Sequence, residues 1–331
     1  MENTEIGWTH RARPDGSLMP GHTFNAWQGC HKVSPACKHC YAEAGARRWG
    51  LKIWGQDAGR KFMSEDYWKK PRKWNEMARA SGERHLVFAN SWSDVLEDRD
   101  DLRDARDRLV RTIENTPWLM WLLLTKRPEN AERLLPVRWT EGHVDNVALG
   151  TTAENQEWLN RRAPHLVRAS RWAAFTFLSV EPMLERVDLS YWCETIDHCT
   201  GCGGEFSPQE NDRCPAPECP SPTSGLIRTW GHEQAEAYRL GERHEQEGDI
   251  VGGPPIAWII GGGESGAGRT ELDLDAAAHL ARYCSANDLA FYMKQDSGPK
   301  PGQQGRLPDW LWALKEHPPI GEPSDRTMLR A

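Results

Sequence analysis

Long apolar runs are absent. No stretch of the 331 residues approaches the roughly 18 consecutive apolar residues that a membrane-spanning helix needs. The opening MENTEIGWTHRARPDG lacks an apolar h-region, so it does not read as a secretory signal. These two absences lead us to expect a cytoplasmic protein with no membrane partner. An excess of positive charge is missing as well. The net charge of −7 excludes broad, nonspecific attachment to nucleic acid, which depends on clustered Lys and Arg, but leaves room for a local basic groove. The signature of disorder is also lacking, because hydrophobic residues make up 38% and charged residues 27% of the chain, as in globular proteins. The length suffices for one large domain or two ordinary ones.

What is abundant is cysteine and tryptophan, nine and seventeen residues respectively. In a reducing compartment, grouped cysteines are metal ligands more often than disulfides. Three of them, Cys30, Cys37 and Cys40, form a C-x6-C-x2-C run inside TFNAWQGCHKVSPACKHCYAE. Thiolates select zinc, copper(I) or iron–sulfur. Three thiolates leave a coordination position open, which is where metal sites do chemistry. His31 and His39 stand beside the cysteines, so a zinc site of three Cys and one His is an alternative to a cluster.

Short apolar runs alternate with helical stretches from Phe24 onward: HLVFANSWSD, WLMWLLLTKRPE, DNVALGTTAEN, WAAFTFLSVEP, AWIIGGGESG and LAFYMKQDSG. Continuous apolar runs between helices predict about seven parallel strands buried on both faces. Each later run ends in polar residues, including Asn90, Ser91, Ser93 and Asp94, then Lys126, Glu154, Glu181, Glu264 and Lys294. In a barrel these ends converge on one mouth, where active sites lie. The predicted fold is therefore α/β, a partial TIM-like (β/α)6-7 barrel. A purely structural zinc at Cys30–Cys40 would block that mouth, which favours a cluster there.

The rhythm breaks between Ser190 and Gly253. There Cys199-x2-Cys202 is followed by Cys214-x4-Cys219 amid Gly, Pro and Ser. Two cysteine pairs read as a closed structural zinc site that supplies the stability a small core lacks, with a second iron–sulfur cluster or a redox pair as alternatives. Cys193 and His198 are candidate substitute ligands. The expected layout is a leader at 1–22, a discontinuous barrel at 23–190 and 254–304, a zinc-ribbon-like insertion and linker at 191–253, with a polar helix at 233–249, and a tail at 305–331. Cys284 reads as a buried small hydrophobe. Basic residues (Lys52, Arg60, Lys61, Lys69, Lys70, Arg72, Lys73) interleave with Trp54, Tyr67, Trp68 and Trp74. That pattern suits either a nucleic-acid strand or an amphipathic helix with Trp facing the core.

The cysteine loop, with Tyr41 directly after the third cysteine and a partial barrel around it, resembles the radical S-adenosylmethionine (SAM) superfamily. More closely, the segments TFNAWQGCHKVSPACKHCYAE, FANSWSDV, LLLTKRPE, FLSVEPML, IIGGGESG and FYMKQDSG resemble, in order, the phage Gp37/Gp68-like three-Cys-motif family of the DUF5131 type. The superfamily spacing is C-x3-C-x2-C, and its Gly-Gly-Glu stretch after the second strand is replaced here by FANSWSD. The resemblance implies a [4Fe–4S] cluster on Cys30, Cys37 and Cys40 and SAM on the fourth iron. It implies cleavage of SAM to a 5′-deoxyadenosyl radical, with a reductant as partner. Tyr41 would lie near the adenine. Asn90, Ser91, Ser93, Asp94, Lys126 and Glu154 would contact SAM, and Glu181, Glu264 and Lys294 would act on substrate. Competing expectations are a cluster used only for electron transfer, or a non-catalytic zinc or iron–sulfur protein acting with a partner protein.

Overall fold

The computed structural model describes residues 4–193, 195–199, 201–206, 214–220, 226–230, 250–251 and 255–323. The expected polar helix at 233–249 and the last eight residues of the tail lie outside them. The chain forms two compact units, Met1–Val187 with Trp258–Ala331, and Asp188–Ala257.

The larger unit is built on a curled half-barrel sheet of seven parallel strands. They are β1 (His22–Phe24), β2 (His85–Ala89), β3 (Leu119–Thr125), β4 (Val144–Thr152), β5 (Ala173–Val180), β6 (Trp258–Gly262) and β7 (Ala290–Gln295). Each strand pairs with its sequence neighbour, so spatial order equals chain order. Side chains alternate across a strand. One set, Leu86, Phe88, Met120, Leu122, Ala148, Phe177, Trp258, Ile260 and Tyr292, forms the inner core. The other set, such as Val87, Leu123, Leu149 and Ile259, is buried as well. This two-sided burial is why the strands read as unbroken apolar runs.

The crossovers are helical. They include α1 (Tyr41–Arg48), α2 (Lys70–Ser81), α3 (Arg103–Glu114), α4 (Gln156–Ala169) and α5 (Leu274–Ala286). Local chemistry sets their ends. Asn155 caps α4 by accepting from the Trp158 N–H, Asp273 caps α5, and Gly82 ends α2 in a left-handed conformation. Cys284 is buried on α5.

The basic and aromatic stretch resolves as an amphipathic arrangement. Trp74 stacks on His22 with centroids 4.5 Å apart, and Trp68 meets Phe24 edge-on at 5.0 Å. Lys69, Lys70, Arg72 and Lys73 stay outside.

Two terminal segments do more than cover a surface. Residues 4–21, expected as a leader, place Trp8 (2% exposed) inside the half-barrel against Phe88 and Trp258. Residues 314–316 run along β7, with Met293 N–H donating to Leu314 O and Glu316 N–H to Phe291 O. The otherwise open edge of the sheet is thereby covered. His317 Nε2 donates to Trp8 O over 3.0 Å, joining the two segments. The first strand also differs from the expected Phe24–Trp27. It ends at Phe24, and Trp27–Gln28 pairs separately with Lys61–Phe62.

The smaller unit holds strand Thr195–Cys199 between Glu205–Phe206 and Leu226–Trp230, both antiparallel to it. Ile250–Val251 lies parallel to the last.

Candidate functional site

Because all seven strands are parallel, their C-terminal ends share one rim, and the three-cysteine loop leaves from the first of them. The turn after β2 holds its beginning. The Asn25 amide donates to Ser91 Oγ at 3.2 Å and accepts from the Trp92 N–H at 2.8 Å. Asn90 Oδ1 accepts from the Ala26 N–H, and Ser93 Oγ donates to Trp27 O. Asn90 sits at φ 60, a conformation Asn tolerates better than most residues. These bonds draw Asn25 and Ala26 out of the sheet, which explains the early end of β1. Gly29, at φ +110, passes so close to Ile53 that a Cβ would lie 2.3 Å from its carbonyl oxygen.

Arg127, just past β3, is the hub beneath the first cysteine. Its Nη1 donates to Asp94 Oδ2 at 2.7 Å and to Cys30 Sγ at 3.7 Å, and its Nη2 donates to His31 O at 3.1 Å. Burial would raise the Asp94 carboxyl, but Arg127 and the donors Thr125, Lys126 N–H and Leu96 N–H outweigh it and hold the carboxyl below its usual range. Glu97 is fully buried and bridges Arg60, through bonds of 3.0 and 2.6 Å, to the His31 ring at 2.7 Å. Two planar groups paired in this way give a geometrically specific, charge-assisted contact. Arg60 also ties down the carbonyls of Ile53, Gly55 and Ala58.

The second half of the loop is held from β4. Glu154 Oε1 accepts from the Ala36 N–H at 3.2 Å, and its Oε2 pairs with Arg162 of α4 at 2.8 Å. Burial, then Asp94, pushes the Cys30 thiol up to about 12 despite Arg127, and burial also raises Cys40. All three cysteine residues are half-buried.

Among the described residues, only Cys199, Cys202, Cys214 and Cys219 are gathered as single-ion ligands, with every sulfur within 4.8 Å of the others. The Cys199–Cys219 and Cys202–Cys214 sulfur pairs lie 3.4 and 3.5 Å apart. Four thiolates at about 2.3 Å from one tetrahedral ion stand about 3.8 Å apart, so this group could hold a metal ion. A turn with Gly203 at φ 73 brings Cys202 back toward Cys199. Burial works to raise Cys199, but hydrogen bonds from the Cys202 and Gly201 backbone and from the Cys219 thiol hold it down to about 7. Neither Cys193 nor His198 belongs to the group.

The strand-end residues singled out in the sequence separate into two sets. Asn90, Ser91, Ser93, Asp94 and Glu154 are engaged in holding the cysteine loop. Tyr41 donates to Ser91 O at 2.7 Å. Glu264 accepts from the Thr270 N–H at 2.7 Å and closes its own turn. Lys126 acts on Cys40 through its charge, and Lys294 pairs with both oxygens of Glu181 at 2.7 and 2.8 Å. Gly261, Gly262 and Gly263 are explained by packing. A Cβ would meet Phe291 at 3.0 Å, Gln295 O at 3.3 Å and Ser297 N at 2.5 Å respectively.

Arg127, Glu97, Arg60 and Arg162 complete the site. Arg127 follows Lys126 at the polar end of an apolar run, and Arg60 belongs to the basic and aromatic stretch; Glu97 and Arg162 carry no site signal beyond their charge, Arg162 lying on the buried face of α4. No helix among the described residues is long and apolar enough to cross a membrane. No curated protein sequence and no solved structure is found to match the chain. The model of the family described as protein of unknown function (DUF5131) matches residues 3–307, nearly the whole length, and the chain belongs to that family.

Proposed function

We propose that the chain is an iron–sulfur enzyme of radical SAM type, with Cys30, Cys37 and Cys40 as the ligands of a [4Fe–4S] cluster. The observation that carries this reading is the loop's position at the rim of a parallel half-barrel, held from two strands by Arg127 and Glu154. Its thiols are not gathered as those around a single ion are, among the described residues. A cube-shaped cluster places each thiolate on a different iron, which suits wider spacing. Three free thiols in one loop are the donor set that such a cluster takes, so the residues fit the group. Cys30, Cys37 and Cys40 would hold the cluster, which would supply one-electron reductive chemistry toward SAM.

The chain's own part is to orient and to exclude water. Arg127 and Glu97 fix Cys30 and His31, and Glu154 fixes the turn before Cys37. Lys126, with the Glu181–Lys294 pair and Tyr41, remains to meet SAM and substrate carboxylate or hydroxyl groups. Trp8 and the inner core close the floor against water. The reaction needs a one-electron reductant as partner, and a cytoplasmic setting suits it. The four-thiol group is read as a structural, zinc-ribbon-like site, and the half-barrel as a relative of TIM barrels.

One observation favours a second reading, a zinc protein that acts by binding a partner. His31 and His39 stand beside the three cysteines and could complete a zinc shell of three Cys and one His. Anaerobic reconstitution with iron and sulfide decides between them. The first reading expects a brown protein that forms 5′-deoxyadenosine with dithionite and SAM. It also expects Cys37→Ala to lose the iron and keep the zinc. A colourless protein after reconstitution overturns it.

A further inference from the structure

Positions 41 and 45 of α1 and its C-cap position 49 follow at i, i+4 and i+8 along one side, and that side lies against the turn after β2. Tyr41 bonds to Ser91 O, Gly45 lets the Trp92 ring approach to 2.6 Å of where a Cβ would be, and Trp49 stacks on Trp92. The Trp49 and Trp92 rings are 5.1 Å apart and inclined by only 13°. Trp49 is 65% exposed and Tyr41 52%. One face of Trp49 is thus held flat by Trp92 while the ring remains largely open to solvent. The strip starts at the residue after Cys40 and runs about 12 Å along the helix.

Charge accompanies it. Between Ala44 and Lys61 there are five Lys and Arg against one acidic residue, in a chain of net charge −7. Arg47 pairs with Glu43 and Arg60 with Glu97. Arg48, Lys52 and Lys61 have no acidic partner among the described residues and are exposed. Flat rings with free faces beside unpaired cations suit unstacked bases and the phosphates that join them. A duplex keeps its bases stacked on one another and offers no such faces. The strip also lacks the aliphatic side chains that a helical peptide or a lipid surface would meet.

We propose that Tyr41, Trp92 and Trp49, flanked by Arg48 and Lys52, form a docking strip for single-stranded nucleic acid that leads toward the three-cysteine loop. The binding surface stands on these residues alone; only its role in delivering a substrate rests on the cluster reading.

The test is fluorescence anisotropy of a labelled ten-nucleotide single strand and of its duplex, with the full chain both as isolated and after iron–sulfide reconstitution. Both preparations are expected to prefer the single strand, and to quench tryptophan fluorescence on binding it. Trp49→Ala should weaken binding about tenfold, and Trp49→Phe should restore most of it. The Arg48→Glu, Lys52→Glu pair should weaken binding and flatten its salt dependence. Trp310→Ala, at another exposed tryptophan (45%), should leave binding unchanged, and thermal unfolding checks that each variant is folded. Equal affinity for duplex and single strand, or unchanged binding by folded Trp49→Ala, overturns the proposal. Binding that persists in a protein unable to hold iron leaves the strip standing and removes the cluster.

Discussion

Arg127 serves one carboxylate, one sulfur and one backbone carbonyl at once, so its loss is felt first by Asp94. Both side chains of the pair are 7% exposed. Arg127→Met leaves a buried, unpaired carboxylate and is expected to cost about 3–5 kcal/mol in urea unfolding. The double variant with Asp94→Asn should cost less than the two single changes added together. Because the folded Asp94 carboxyl lies below its ordinary value, its contribution is complete above about 3.9. It is lost only as pH falls through the folded value. Acid sensitivity above pH 4 has another source. Burial lowers the His85 imidazole, 3.1 Å from His22, to about 4. Its contribution is complete above about 6.5 and is lost as pH falls toward 4, by at most about 3 kcal/mol. Urea unfolding across that window should show the decline, and His85→Gln should reduce it, the remainder coming from His317, which burial also lowers to about 4. At this scale the sequence is only partly legible. Asn90, Asp94 and Glu154 stand out as polar ends of apolar runs. That they meet Ala26, Arg127 and Arg162 follows from the curvature of the sheet, which no local pattern encodes.

At the scale of elements, legibility is higher, because strands buried on both faces leave unbroken apolar runs and helices leave a 3.6-residue period. The inner alternation even continues through Asn90, Lys126, Glu154, Glu181 and Lys294, which is why these positions stand out together. What the pattern conceals is an isolated residue that packs far from its neighbours in sequence. Trp8 lies in a segment without period, yet it fills the half-barrel. Trp8→Ala should cost about 3–5 kcal/mol, where a tryptophan on a surface leader would change stability by less than about 0.5 kcal/mol. Chemical denaturation separates the two. The same reasoning applies to the edge of β7. Tyr292 and Lys315 form an antiparallel bridge there, and the Lys315 ammonium sits 3.5 Å from the centre of the Trp312 ring. Burial lowers that lysine to about 8.

For the whole molecule, the division into two units makes metal removal a selective perturbation. Chelation, or Cys202→Ser, should abolish any metal content and order in the 188–257 unit while the half-barrel keeps its own unfolding transition. Calorimetry with and without chelator checks this, and a single transition lost as a whole would show that both units depend on the ion. Four cysteines in two pairs reveal such a group in sequence because coordination fixes their spacing. The three-cysteine loop reveals less, since its support comes from strands far along the chain. That separation has a consequence for biosynthesis. Residues 30–40 leave the ribosome well before Arg127, Glu154 and Arg162 exist. The thiols are therefore made long before the structure that orients them, and metal delivery to the nascent loop would meet an unformed site.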